Sequence, residues 1–141
     1  MIDYDKTKAW RSGEVRQVFT VRDTIVYALG LGFGCDPLDA QQLRYVYEKD
    51  LVALPTMAAV LASPGTWMRE RTELGIDFLR LVHGEQGVQI HQPLPVAGTV
   101  LGESRVTRIV DKGEGKGAVV HVEKVLKDAA SGALLATAEQ V

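Results

Sequence analysis

Four runs of strand-forming residues occupy residues 86–91, 99–110, 117–127 and 134–141, and only short stretches of turn chemistry separate them. The separators are Pro93-Leu94-Pro95-Val96-Ala97-Gly98, Asp111-Lys112-Gly113-Glu114-Gly115 and Asp128-Ala129-Ala130-Ser131-Gly132. A parallel crossover needs roughly a dozen residues or more, so links this short join antiparallel strands. The second half therefore reads as an antiparallel meander.

The first half has a different texture. Residues 15–21 mix β-branched, aromatic and polar side chains and read as a short first strand. Thr20 is placed to cap a helix in which Val21, Ile25, Ala28 and Leu29 recur at helical spacing, and Gly30-Leu31-Gly32-Phe33-Gly34 ends it. Proline in Asp36-Pro37 opens a second, more polar helical segment over residues 38–47, ending around Glu48. Residues 54–62 are apolar on every side, open with Pro55 and close at Ser63-Pro64-Gly65, the signature of a short buried helix. A buried helix followed by an antiparallel sheet gives an α+β layout in which the sheet wraps the helix.

At 141 residues and 46% hydrophobic, the chain can build one core, so residues 1–141 read as a single domain. Its last run stops in mid-pattern, with no turn residue or polar tail, as though the chain ends within its last strand. The formal net charge is −2 and the charges are interspersed, so no basic stripe is available for nucleic acid. The first residues are charged rather than signal-like, and no run reaches the ~18 apolar residues of a membrane span. The single cysteine, Cys35, cannot form an intrachain disulfide, which fits a reducing cytoplasm. In its Gly-Cys-Asp-Pro turn it has no histidine nearby in sequence to activate it.

Neither glycine-rich run holds a phosphate by its pattern. Gly30-Leu31-Gly32-Phe33-Gly34 follows a helix instead of a strand, and Gly113-Glu114-Gly115-Lys116-Gly117 lacks Ser or Thr after its lysine. They read as a helix stop and a hairpin turn, with Lys112 and Lys116 at a solvated tip. His83, His91 and His121 are the acid/base candidates, and none has a carboxylate or nucleophile at a mechanistically useful spacing. The absence of Gly-x-Ser-x-Gly, His-x-x-x-His and Cys-x-x-Cys patterns removes the common hydrolase and zinc readings, so no metal is expected. Between apolar residues 78–82 and 88–90, the block His83-Gly84-Glu85-Gln86 reads as buried polar groups satisfying one another at a helix–sheet junction. Glu48, ahead of the buried helix, could be a cap, an ion-pair partner or a site residue.

Six blocks in order carry a family resemblance across residues 15–140. They are Tyr27-Ala28-Leu29-Gly30-Leu31-Gly32, Tyr45-Val46-Tyr47-Glu48, Leu54-Pro55-Thr56, Leu81-Val82-His83-Gly84-Glu85-Gln86, Pro93-Leu94-Pro95 followed by Gly98, and Asp111-Lys112-Gly113. The chain resembles the N-terminal half of type-2, MaoC-like enoyl-CoA hydratases. That resemblance implies a single hot-dog domain and a hydro-lyase family that adds water across trans-2-enoyl-CoA to give the (R)-3-hydroxyacyl-CoA. In the family an Asp-x-Asn-x-x-His motif on the second half supplies the acid/base dyad, and a backbone N–H at a helix start stabilises the enolate oxygen.

The residues five places before His83, His91 and His121 are Phe78, Gln86 and Lys116, so the dyad spacing is absent here. The resemblance therefore implies a non-catalytic half that shapes the acyl-CoA site through Tyr27, Glu48, Leu54, Pro55, Thr56, His83, Gly84, Glu85 and Gln86. It implies no cofactor beyond the coenzyme A carried by the acyl-CoA thioester. The expected partner is a second hot-dog half bearing Asp-x-Asn-x-x-His, or a second copy in a homodimer, since one such sheet leaves an edge unpaired. A different class stays open: an acyl-CoA-binding or scaffolding hot-dog module without chemistry. A thioesterase-like reading would need its own carboxylate, for which only Glu48 is available.

Overall fold

The computed structural model of the chain describes residues 2–141. Asp3 caps α1 (Tyr4–Ala9), accepting a hydrogen bond from the Lys6 N–H, and the chain passes through Trp10 into β1 (Arg11–Phe19). Next comes α2 (Val21–Gly30), which opens on a reciprocal capping box. The Thr20 hydroxyl accepts from the Asp23 N–H, while the Asp23 carboxylate accepts from the Thr20 N–H. After α3 (Ala40–Leu43) and a 3-10 helix at Pro55–Ala59, here called the central helix, the chain forms α4 (Trp67–Glu70) and short 3-10 turns. The remaining strands are β2 (Gln86–Ile90), β3 (Gly98–Asp111), β4 (Ala118–Asp128) and β5 (Leu134–Gln140).

All five strands form one antiparallel sheet in the order β1-β3-β4-β5-β2. The meander expected over residues 86–141 is thus confined to β3–β5. β2 pairs with β5 at the far edge, from Gln86↔Gln140 to Ile90↔Ala136, and not with β3. Residues 91–97 can make that passage because a link of this length spans roughly 23 Å, whereas three strand spacings come to about 14 Å. A short link constrains strand direction; it leaves the neighbour open.

Every strand contributes a side chain to the core around the central helix and the turn that follows it. Phe19 of β1, Val100 of β3, Leu126 of β4 and Leu135 and Ala136 of β5 close around Met57, Ala58, Leu61 and Ala62, and Val88 of β2 packs on from the edge. This confirms a sheet wrapped about a short helix and corrects the expectation of a helix buried all round. Thr56 is exposed and Val60 keeps 53% of its surface, so the helix buries one face only. Along β3 the buried residues Val100, Gly102, Ser104 and Val106 alternate with outward ones, as a pleat dictates.

Two further corrections concern the first half. The helix expected over residues 38–47 is only four residues, Ala40–Leu43, capped by Asp39, because none of its positions is buried to hold more turns in place. The first strand begins at Arg11, ahead of the expected Val15, and its register slips between Arg11 and Glu14 beside Gly13, whose φ is 69°. A second core was not foreseen. Trp10 and Trp67 stack with ring centroids 3.6 Å apart and pack with Leu74, Val106 and Val122. No helix among the described residues is long and apolar enough to cross a membrane.

Candidate functional site

A cleft of about 410 Å³ opens at the N-terminal end of the central helix. One wall is Val52, Ala53 and Pro55, leading into the helix; the other is Ile90 at the end of β2 with the turn that continues through Pro93 and Leu94. Tyr45, His91 and Gln92 complete the lining, and no carboxylate lines it. The His91 Nε2 lies 3.0 Å from the Thr137 hydroxyl, which orients the ring from β5.

The structure gathers part of the expected site at this point. Pro55 lines the cleft, and Leu54 beside it is buried. The Tyr27 hydroxyl donates to the Thr56 hydroxyl at 3.1 Å, tying α2 to the first turn of the central helix. Four residues taken from two sequence blocks thus meet at one end of one helix.

The others lie elsewhere. Glu48 is exposed in the turn after α3, outside the cleft lining. His83, Gly84, Glu85 and Gln86 are all exposed, which corrects the buried helix–sheet junction. They extend the β2 edge instead: the Gly84 and Glu85 N–H groups donate to the Val141 oxygen, and the Val141 N–H returns a bond to Glu85. His83 Nε2 is 3.4 Å from the Gln86 amide oxygen, and the Gln86 amide donates to the Glu139 carbonyl. The physical reason is next to them. Leu79 and Val82, apolar as they are, remain 94% and 83% exposed, so this run carries nothing into the core.

Lys124 went unnoticed in sequence, although its position was a signal: it sits two residues from Val122 and two from Leu126, on the inward face of β4. Only 6% of it is exposed. Its ammonium group donates to the Ala59 oxygen at 2.8 Å and to the Leu61 oxygen, satisfying carbonyls at the end of the central helix. Burial pushes the Lys124 amine down from 10.5 to about 8.

With a folded pKa below the unfolded one, the unfolded chain binds the extra proton between pH 8 and 10.5, so stability rises with pH across that window and is flat below it. The full shift corresponds to on the order of 3 kcal/mol. Urea midpoints of the native chain should climb across the window relative to Lys124→Met, and parallel curves for the two would refute the burial effect.

Among the described residues no group of three or more His, Cys, Asp or Glu is arranged to hold a metal. A family model described as the MFE-2 hydratase 2 N-terminal domain matches residues 18–141. The chain belongs to this family. As a hydratase 2 N-terminal domain, it is 37% identical over 118 residues to 3-hydroxyacyl-thioester dehydratase Y of Mycobacterium tuberculosis, an alignment covering 84% of this chain and 40% of that protein. It is 32% identical over 139 residues to the Arabidopsis thaliana peroxisomal enoyl-CoA hydratase 2, covering 93% of this chain and 44% of the relative.

Among solved structures, full-length peroxisomal multifunctional enzyme type 2 from Drosophila melanogaster superposes with a TM-score of 0.70 at 32% identity, over 90% of this chain and 22% of that one. A MaoC-like dehydratase from Phytophthora capsici superposes at 0.74 with 24% identity, over 99% of this chain and 48% of that one, and shows the fold alone. The hydratase 2 N-terminal domain therefore has the hot-dog fold, and it spans about two fifths of the length of these two curated relatives.

Proposed function

We propose that this hydratase 2 N-terminal domain is the substrate-binding half of a (3R)-hydroxyacyl-CoA dehydratase, or 2-enoyl-CoA hydratase, whose Asp/His dyad lies on a second hot-dog half. The observation that carries the reading is the cleft itself. Its volume suits a small-molecule site, its walls are largely aliphatic, and its lining holds no carboxylate to act with His91. Such a cleft can hold an acyl chain but offers no carboxylate beside His91 to divide the two proton transfers of hydration.

In this reading Ala53, Pro55 and Ile90 flank the acyl chain, while Leu54, Tyr27 and Thr56 fix the helix end that forms the wall. Hydration then proceeds on groups of the other half: one member of the dyad takes a proton from water as hydroxide adds to the β-carbon, and the other protonates the α-carbon. The coenzyme A enters as part of the substrate. Glu48 and the exposed block from His83 to Gln86 are assigned to the rim where the second half, or a second copy, closes over the substrate. The β2 edge and the exposed Leu79 and Val82 supply a surface for that contact.

The test is binding of decanoyl-CoA, a saturated thioester that cannot be hydrated. Ile90 is partly exposed, so Ile90→Arg leaves the fold intact while placing a charge in the acyl path. The expected result is a loss of at least about tenfold in affinity for decanoyl-CoA, with free coenzyme A unaffected. Equal decanoyl-CoA affinity in both proteins would move the acyl chain out of this cleft.

A further inference from the structure

The geometry points to a three-strand clasp, made of Gln17, Gly102 and Lys124, that holds the turn after the central helix at Leu61 and Ala62 and so positions the Ala53–Pro55 wall of the cleft. The positioning role rests on the acyl reading of that cleft; the clasp itself does not.

Helical bonding is still intact at Leu61, whose N–H donates to the Met57 oxygen. One residue later it stops. A 3-10 continuation would take the Ala62 N–H to Ala59 and an α-turn would take it to Ala58, but it donates instead to the side-chain oxygen of Gln17 on β1, at 2.6 Å. The Ala59 and Leu61 carbonyls, which a longer helix would pair with groups three or four residues on, are taken by the Lys124 amine of β4. Ala62 is turned into the left-handed region, with φ at 48°, a conformation that costs a non-glycine residue free energy and persists only where neighbours enforce it.

Between those two strands, β3 makes room. A Cβ added to Gly102 would stand 2.6 Å from the Ala62 oxygen and 2.7 Å from its Cβ, so any side chain there drives Ala62 off the sheet. The φ of Gly102 is not positive, so its role is space and not backbone freedom. Adjacent strands thus supply an acceptor, a gap and a donor for the same turn. Local sequence does not impose this stop by itself. Pro64 offers no N–H to Val60 in an α-turn or to Leu61 in a 3-10 turn, but the Ala62 N–H and the Ala59 carbonyl are left for the strands to satisfy.

The consequence for the cleft is mechanical. The five-residue 3-10 helix is roughly 10 Å long, with the wall at Pro55 on one end and the other end joined through the turn at Val60–Leu61 to the clasp at Ala62. Releasing one end lets the other swing, and a longer helix would shift the whole segment along the sheet.

Gln17 is the position to test, because it is exposed on β1 and belongs to neither core cluster. Gln17→Leu removes the acceptor; Gln17→Glu keeps one. In the full 141-residue chain, hydrogen exchange at the Ala62 amide should accelerate about fivefold or more in Gln17→Leu, with β3–β5 amides unchanged, and return towards the native rate in Gln17→Glu. The affinity for decanoyl-CoA should fall about fivefold in Gln17→Leu and recover in Gln17→Glu. Unchanged Ala62 exchange overturns the clasp, and accelerated exchange with unchanged binding overturns its positioning role. If the native chain binds no decanoyl-CoA, the acyl reading of the cleft falls, a failure that the exchange measurement tells apart from failure of the clasp.

Discussion

Leu61→Ala is expected to destabilise the domain by about 4 kcal/mol, seen as a large drop in the urea midpoint with little change in slope. Leu61 is 1% exposed and lies in the cluster with Phe19, Met57, Val100 and Leu126, so its removal loses the transfer free energy of the side chain and leaves a cavity. The strands around that cavity are held by ladder bonds to one another, which limits how far the site can collapse. Domains of this kind are stable by roughly 5–15 kcal/mol, so a substantial share of the total is at stake. Val60 is the internal control. It is the residue just before Leu61, yet it points outward, and Val60→Ala should cost less than about 0.5 kcal/mol. A loss that small at Leu61 and at Met57 as well would remove the helix from the middle of the sheet.

The sheet was legible because its information is local: alternating side chains, then a few turn residues, repeated. The Thr20–Asp23 capping box was half legible in the same way, from a cap residue ahead of a helical apolar pattern. Pairing partners were not. Nothing in residues 91–97 says that β2 goes to β5, since that choice depends on which edge is vacant once β3, β4 and β5 have paired. The second core escaped for a related reason: Trp10 and Trp67 stack only after β1 and α4 are placed, and neither tryptophan sits in a periodic run.

At the site, resemblance brought Tyr27 and Thr56 forward as separate blocks, and the hydrogen bond between them belongs to the tertiary structure. The flanking of His83–Gln86 by apolar residues misled, because apolar neighbours bury a segment only when they themselves find a core. Lys124 shows the converse. A lysine at an inward position of a strand conflicts with the pattern around it, and the conflict marks a residue engaged with backbone carbonyls.

The isolated 141-residue chain is expected to hydrate a short trans-2-enoyl-CoA no faster than buffer, and the chain joined to a second half bearing Asp-x-Asn-x-x-His to be at least about 10²–10⁴-fold faster. The measurement is the loss of the conjugated thioester's ultraviolet absorbance. Hydration needs one group to take a proton from water and another to deliver one to the α-carbon. The pair in this chain that most resembles such a device is His121 with Glu139, whose Nδ1 and Oε1 are 3.0 Å apart. Neither residue lines the cleft, so the pair cannot meet a substrate bound there. His91 does line it, but its Nε2 is engaged with the Thr137 hydroxyl and no carboxylate in the lining can share the work. In the joined enzyme, Glu48→Ala and His83→Ala should each lower the rate by about tenfold with unchanged unfolding midpoints, since both side chains are exposed and support no core. An enzyme-like rate from the isolated chain would overturn the division of labour between halves. The chemistry would then have to come from His91 in the cleft, or from Glu48, His83 and Glu85 brought onto the substrate by a second copy.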